Sequence, residues 1–309
     1  MRILLTGVTG QVGWELVRSL QPVGDIVALD SRSLDLSDTA ALKAKLQDIA
    51  PAIIVNPAAY TAVDKAESDI ERARAINAAA PAVLAEYCAA SAALLVHYST
   101  DYVFDGSRDG RYREDEATAP VNAYGLTKLE GERAIQASGC AHLILRTSWV
   151  YSLRGGNFLR TMVRLAATRD HLRIVADQYG VPTPASLIAD TTAQLLARRQ
   201  ADPALKDWSG ILNLAPSGRT SWFDYASLGL AILNKATHAA ASEEARQAMP
   251  RPSWQVQRMP TLEPIPASSY PTPARRPANS CLDLGRIENV WGLRMPAWDS
   301  LLASVLRDA

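Results

Sequence analysis

Three residues stand at spacings suited to acid–base chemistry on an oxygen. Tyr124 and Lys128, in the stretch YGLTK, are separated by four positions, and Thr100 closes an apolar run 24 residues before Tyr124. Residues at i and i+4 of a helix share a face, so an ammonium would stand near a phenol. An unperturbed phenol, with a pKa of about 10, exchanges protons poorly at neutral pH. A neighbouring cation stabilises the phenolate and lowers that pKa, which suits general acid–base work on an alcohol or carbonyl. The Thr100 hydroxyl can donate and accept beside such a centre, and Asp101 directly follows it in STDYVFDG, residues 99–106. Tyr and Lys pairs at this spacing are common on helices, so the motif draws its force from its company.

That company is TGVTGQVG, residues 6–13, with glycines at positions 7, 10 and 13. The stretch follows an apolar run and opens a helical pattern. In a strand–loop–helix unit, Gly7 allows a tight turn, Gly10 lets the backbone approach a pyrophosphate and Gly13 lets helix pack on strand. Phosphates then face the free N–H groups and positive end of the helix, with Gln11 and Val12 beside them. Asp30 ends the next apolar run, where a carboxylate accepts from ribose hydroxyls. Arg32 lies two residues on, where a guanidinium could face a 2′-phosphate, so Asp30 points to NAD and Arg32 to NADP. Asp35 and Leu36 fall where an adenine edge would lie. The small residues Ala58 and Ala59, in NPAAYTAVDKAE, permit a cofactor close to the backbone.

The elements that must position these residues are legible as alternating apolar runs and helical patterns. Runs at Ile3–Leu5, Ile26–Leu29, Ile53–Val55, Leu94–Val96 and His142–Leu145 are short and continuous. They read as parallel strands buried on both faces. Helical patterns follow over 11–20, 37–49 with Ser37 as cap, 69–93 and 123–137. The expected fold is therefore α/β, a doubly wound parallel sheet of Rossmann type. A dinucleotide-binding domain is expected over 1–150. Residues 151–309 are expected to form mainly a smaller substrate-binding lobe, with segments returning to the sheet. Helices are expected over 187–199 and 221–233. The proline-rich stretch from Met249 to Pro277 argues against regular structure there.

Bulk properties exclude some classes. The formal net charge is zero, which gives no electrostatic reason to expect nucleic acid or an acidic membrane surface. The three cysteines and four histidines show no metal-ligand spacing. No signal-type segment or membrane-length apolar run occurs, so a cytoplasmic protein is expected. The tryptophans of the second half, Trp208, Trp222, Trp254, Trp291 and Trp298, read as packing residues.

Taken together, the glycine spacing, the Thr at the end of the fourth strand and Tyr-x-x-x-Lys resemble the extended short-chain dehydrogenase/reductase family. The segments TGQVGWEL, HYSTDYVFDG, NAYGLTKLEGE, LRTSWVY, DQYGVPT and YPTPARRPANS resemble, more narrowly, its reductases of keto-sugar nucleotides. The resemblance implies hydride transfer from NADPH, with NADH also accepted, to the C4 carbonyl of dTDP-4-dehydro-β-L-rhamnose. The product would be dTDP-β-L-rhamnose, for cell-surface polysaccharide. By matched position, Tyr124 would donate the proton, Lys128 would bind the nicotinamide ribose and acidify Tyr124, and Thr100 would assist. Asp101, Val63, Trp149 and Arg276 would meet the dTDP-sugar. Tyr60 and Thr61 would join the cofactor contacts, with Tyr60 standing where the family pattern has His.

A homodimer is compatible with the resemblance. Some members hold magnesium at a dimer interface partly through carboxylates. Glu15 is present, but Ser186 stands where the second carboxylate would align. One carboxylate does not satisfy a cation that wants about six oxygens, so no metal is expected. Two other readings share the scaffold: a sugar-nucleotide epimerase or dehydratase that retains its NAD, and a non-catalytic subunit, which would have lost Tyr124 or Lys128.

Overall fold

In the computed structural model, residues 1–239 and 254–308 are described. The first half builds one parallel sheet from strands β1 (Arg2–Leu5), β2 (Asp25–Ala28), β3 (Ile53–Asn56), β4 (Leu94–Thr100) and β5 (His142–Thr147). A sixth strand, β6 (Gly210–Asn213), returns from the second half, and the order across the sheet is β6-β5-β4-β3-β1-β2. The chain leaves β1 towards β2 and then reappears on the other side at β3. That reversal opens a crevice beyond the carboxyl ends of β1 and β3.

Alternation along the central strands explains why both faces are apolar. Leu4, Ile54, Leu95 and Ile144 point to one face, against helices α2 (Thr39–Ile49) and α3 (Ala80–Ser91). Leu5, Val55, Val96 and Leu145 point to the other, where α1 (Gln11–Ser19) supplies Leu16. Helix α5 (Ala185–Ala201) adds Ile188 and Leu195 to the same face. The edge strand β2 departs from the expected double burial: its four residues are half-buried or exposed. Among the described residues it lacks a neighbouring strand on one side.

Helix α2 begins at Thr39, not Ser37. The Asp38 carboxylate caps it, accepting from Ala40 N at 3.1 Å and Ala41 N at 2.9 Å. Ser37 instead donates its hydroxyl to Asp35 at 2.8 Å.

A separate apolar cluster organises the second half. It joins Tyr151, the helix Phe158–Ala166, α6 (Trp222–Ala239) and the buried Trp254. A two-stranded parallel pair, His171–Val175 with Thr261–Ile265, completes it. The second strand corrects the expectation of irregular chain across the proline-rich stretch. Among the described residues, Thr261–Ile265 pairs on one side only, so Pro264 can sit in it without removing a ladder bond from a second neighbour. Part of that stretch, 249–253, lies outside the described residues. Of the tryptophans expected to pack, Trp254 and Trp291 are fully buried.

Candidate active site

Helix α4 (Ala123–Ala137) carries Tyr124 and Lys128, and its start is closely fixed. The Asn122 side chain caps it, accepting from Gly125 N at 2.8 Å, while its amide donates to Arg275 O at 2.8 Å. Glu67 accepts from Ala123 N at 2.8 Å. Gly125 is required by close approach, because a Cβ there would lie 2.1 Å from the Tyr102 carbonyl oxygen. Its absence lets the helix lean on the segment after β4, so Thr100, Asp101, Tyr124 and Lys128 line one cleft of about 870 Å³.

The glycine loop forms the cleft's other wall. Gly7 has φ +58°, and a Cβ on Gly13 would sit 2.1 Å from Gly7 O. Gly10 starts α1 without a side-chain cap, leaving the first N–H groups to face the cleft. Gln11, Val12, Asp30, Asp35, Leu36, Ala58, Ala59, Thr61, Val63 and Trp149 also line it. The Gln11 amide oxygen accepts from Ser152 Oγ at 3.1 Å and Asn157 Nδ2 at 3.0 Å, which ties the glycine loop to the second half.

Three expected site residues stand away from this lining. Arg32 is an exposed turn residue whose N–H donates to Asp30 at 3.1 Å. Tyr60 donates its hydroxyl to Asp69 at 3.0 Å. Arg276 spends its fork on Asp64, with Nη2 2.8 Å from Oδ2 and Nη1 on Oδ1. The fork geometry that suits a diphosphate is here matched by a carboxylate.

Asp30 and Asp35 are both held below the usual carboxylate range. The Ser33 hydroxyl and N–H do this for Asp30, and the Ser37 N–H and hydroxyl for Asp35. Each stays ionised and serves as an acceptor at the cleft edge.

The electrostatics of Tyr124 run opposite to the sequence expectation. Burial pushes the phenol above its ordinary value, and the charge of Asp101 adds to this. The Thr100 hydroxyl works the other way. The Lys128 Nζ turns to Tyr98 O at 2.6 Å and His97 Nε2 at 3.1 Å. Burial lowers the Lys128 ammonium to about 8, opposed by the charge of Glu132. Asp101 rises to about 7 because it is buried, though the Ser280 and Thr100 hydroxyls pull it back. At neutral pH the phenol therefore carries its proton and can give it away.

Sequence reasoning did not single out several residues that shape the site. Trp222, read as packing, stacks on Trp149 with ring centroids 3.5 Å apart and 11° between planes, and it lines the cleft. Trp149 holds this position with φ +45°, a conformation that costs a non-glycine residue roughly 1–2 kcal/mol. Glu132, one turn beyond Lys128, forms a buried bidentate pair with Arg146 of β5, at 2.9 and 2.6 Å. His97 and Asn56 lie behind Lys128. Their one signal was polar type inside apolar strands.

Glu15 lies near Arg18, whose guanidinium also bonds Asp190 at 2.8 Å. Glu15 thus stands beside a guanidinium, and one such carboxylate does not satisfy a hard divalent cation. All three cysteines are free and buried. No helix among the described residues is long and apolar enough to cross a membrane.

Comparison with known proteins gives a consistent result. The model of the RmlD substrate binding domain matches residues 1–309. The dTDP-4-dehydrorhamnose reductase of Burkholderia thailandensis is 43% identical over 309 residues, covering 100% of this chain and 99% of the relative. The enzyme of that name from Escherichia coli K12 is 44% identical over 302 residues, covering 96% and 94%. The crystal structure of dTDP-4-dehydrorhamnose reductase from Bacillus anthracis in complex with NADP superposes with a TM-score of 0.84. It is 30% identical and covers 100% of this chain and 99% of that one.

Proposed function

Since the chain belongs to the RmlD substrate binding domain family along its whole length, we propose that it reduces the C4 keto group of dTDP-4-dehydro-β-L-rhamnose. The observation that carries the reading is the convergence of Thr100, Tyr124 and Lys128 on one cleft with the glycine loop. The residues fit a dinucleotide. The uncapped start of α1 suits the pyrophosphate, Asp30 and Asp35 offer ionised acceptors to ribose and adenine, and Ala58 leaves room beside Gly7. NADPH, when bound, supplies the hydride.

The chain's own residues supply the proton and the orientation. Tyr124, kept protonated by burial, gives its hydroxyl proton to the developing C4 alkoxide. Thr100, placed beside that phenol, turns its one hydroxyl hydrogen from Asp101 to the phenolate that remains. Lys128, fixed from behind, turns its remaining N–H to the cofactor ribose and offsets the new negative charge. Asp101 and Val63 face the sugar from the cleft wall, and the Trp149–Trp222 stack gives it an apolar floor. Arg276 holds Asp64 and so orders the loop beside Tyr102. Residues 1–150 with β6 hold the cofactor, and most of 151–309 surrounds the sugar nucleotide. A non-catalytic role would require loss of Tyr124 or Lys128, and both are in place.

The test is spectrophotometric. NADPH and NADH oxidation is followed with the dTDP-linked keto sugar and with other 4-keto-6-deoxy sugar nucleotides. Tyr124→Phe should bind the cofactor normally and lose about 10²–10⁴-fold in turnover. Undiminished oxidation in that variant would sink the acid–base assignment. No response of the parent enzyme to the dTDP sugar would defeat the substrate assignment.

A further inference from the structure

Behind Lys128 runs a chain of buried polar groups that the roles above leave unused. Thr6 Oγ1 donates to Asn56 Oδ1 at 2.6 Å, and Asn56 Nδ2 lies 3.1 Å from His97 Nδ1. His97 Nε2 lies 3.1 Å from Lys128 Nζ. Asn56 and His97 are 0% exposed, Lys128 1% and Thr6 2%. The sheet order alone assembles them, since they come from the ends of β1 and β3, from β4 and from α4.

Burying such groups is costly unless every donor meets an acceptor. That requirement fixes their protonation. Burial, and next the charge of Lys128, keep His97 well below its ordinary pKa, so the ring is neutral. A neutral imidazole has one N–H and one lone pair. An ammonium can only donate, so Nε2 must carry the lone pair and Nδ1 the hydrogen. Nδ1–H then needs the Asn56 oxygen, so the amide is turned over from its orientation in this structure and its NH₂ faces the Thr6 hydroxyl, which accepts. The two amide orientations have the same shape, so both fit this space. A neutral amine could accept from Nε2–H as well as donate to it, so it is the ammonium that excludes the Nε2–H form.

We propose that His97 is a positioning residue for the reduction: backed by Asn56 and Thr6, its Nε2 holds Lys128 as an ammonium with two N–H bonds directed inward and the third left for the cleft. The second inward bond goes to Tyr98 O. The charge of Glu132 on its own helix, itself paired with Arg146 of β5, also acts on Lys128, and the titratable groups Tyr124 and Asp101 line the same cleft. The proposal rests on Lys128 acting in the reaction, and the two can fail separately.

Two measurements test it. Long-range ¹H–¹⁵N NMR of the intact enzyme, which has four histidines, reads the ring tautomer, with His97→Gln providing the assignment. The Nδ1–H form is expected near neutral pH. An Nε2–H form or a doubly protonated ring overturns the proposal. In kinetics, His97→Leu removes an acceptor that favours the ammonium. Lys128 should then lose its proton more easily, moving the alkaline limb of the kcat profile down by about one pH unit. KM for the keto sugar should stay within about twofold. His97→Gln, whose amide oxygen can accept from Nζ, should restore the limb. An unmoved limb in folded His97→Leu, or equal defects in both variants, overturns the proposal. The NMR result stands even where the leucine variant does not fold. Full turnover in Lys128→Met would instead refute the role of Lys128 and leave the tautomer result intact.

Discussion

Replacing Asp101 by Asn should make the protein more stable, and increasingly so as pH rises. Asp101 is 3% exposed, and its Oδ1 accepts from Thr100 Oγ1 at 2.9 Å. Burial lifts its pKa from 3.8 to about 7, the Ser280 and Thr100 hydroxyls opposing. A carboxyl with a raised folded pKa binds more protons folded than unfolded between those two values. Its contribution to stability is therefore fully present below about pH 4 and is lost as pH rises to about 7. A shift of about three units, at roughly 1.4 kcal/mol each, puts the cost of the ionised form at about 4 kcal/mol at pH 8 and about 1–2 kcal/mol at pH 5. Asn is nearly isosteric, keeps an oxygen to accept from Thr100 and never ionises. Differential scanning calorimetry of parent and variant at those two pH values is the assay. At roughly 2 °C per kcal/mol for a chain of this size, the Tm advantage should be a few degrees at pH 5 and nearer 5–10 °C at pH 8. A Tm difference that does not change with pH, or one that favours the parent at pH 8, would refute the argument that Asp101 is held in an environment hostile to its charge.

Two further perturbations probe the frame around the site. Gly125→Ala places a methyl 2.1 Å from the Tyr102 carbonyl, so α4 must move away from the Thr100 segment. A stability loss of about 1–3 kcal/mol and a fall in kcat of about 10²-fold are expected in urea melts and steady-state kinetics; unchanged kcat would show that the close approach is not needed for chemistry. Glu132→Gln leaves the Arg146 guanidinium buried without its counter-charge, with both side chains at most 2% exposed. A loss of about 3–5 kcal/mol is expected, and Glu132→Gln combined with Arg146→Met should recover much of it; a single-variant loss under about 1 kcal/mol would contradict a desolvated pair.

Local chemistry carried much of the site. The glycine loop was legible because a turn with φ +58° and a helix start pressed on Gly7 O admit few other residues. Tyr124 and Lys128 were legible because i and i+4 fix a shared face whatever surrounds the helix. The sheet was legible in its short apolar runs, since central parallel strands are dry on both faces. By contrast, Ser37 was a sound cap by type, and only the fold shows that Asp35 takes its hydroxyl and leaves the cap to Asp38. Pro264 argued against a strand until the one-sided pairing of Thr261–Ile265 made it harmless.

What the sequence determined by itself was therefore the set of groups able to react and the local elements bearing them. The tertiary structure decided their electrostatics and their partners. Burial is the largest influence on the acidity of Tyr124, and Lys128 bonds His97 and Tyr98 O. Arg276 meets Asp64, and Trp149 meets Trp222. The physical reason is common to all of these. A backbone period reaches only a few residues along the chain, whereas desolvation, ion pairing and ring stacking depend on which distant segments the sheet order brings together.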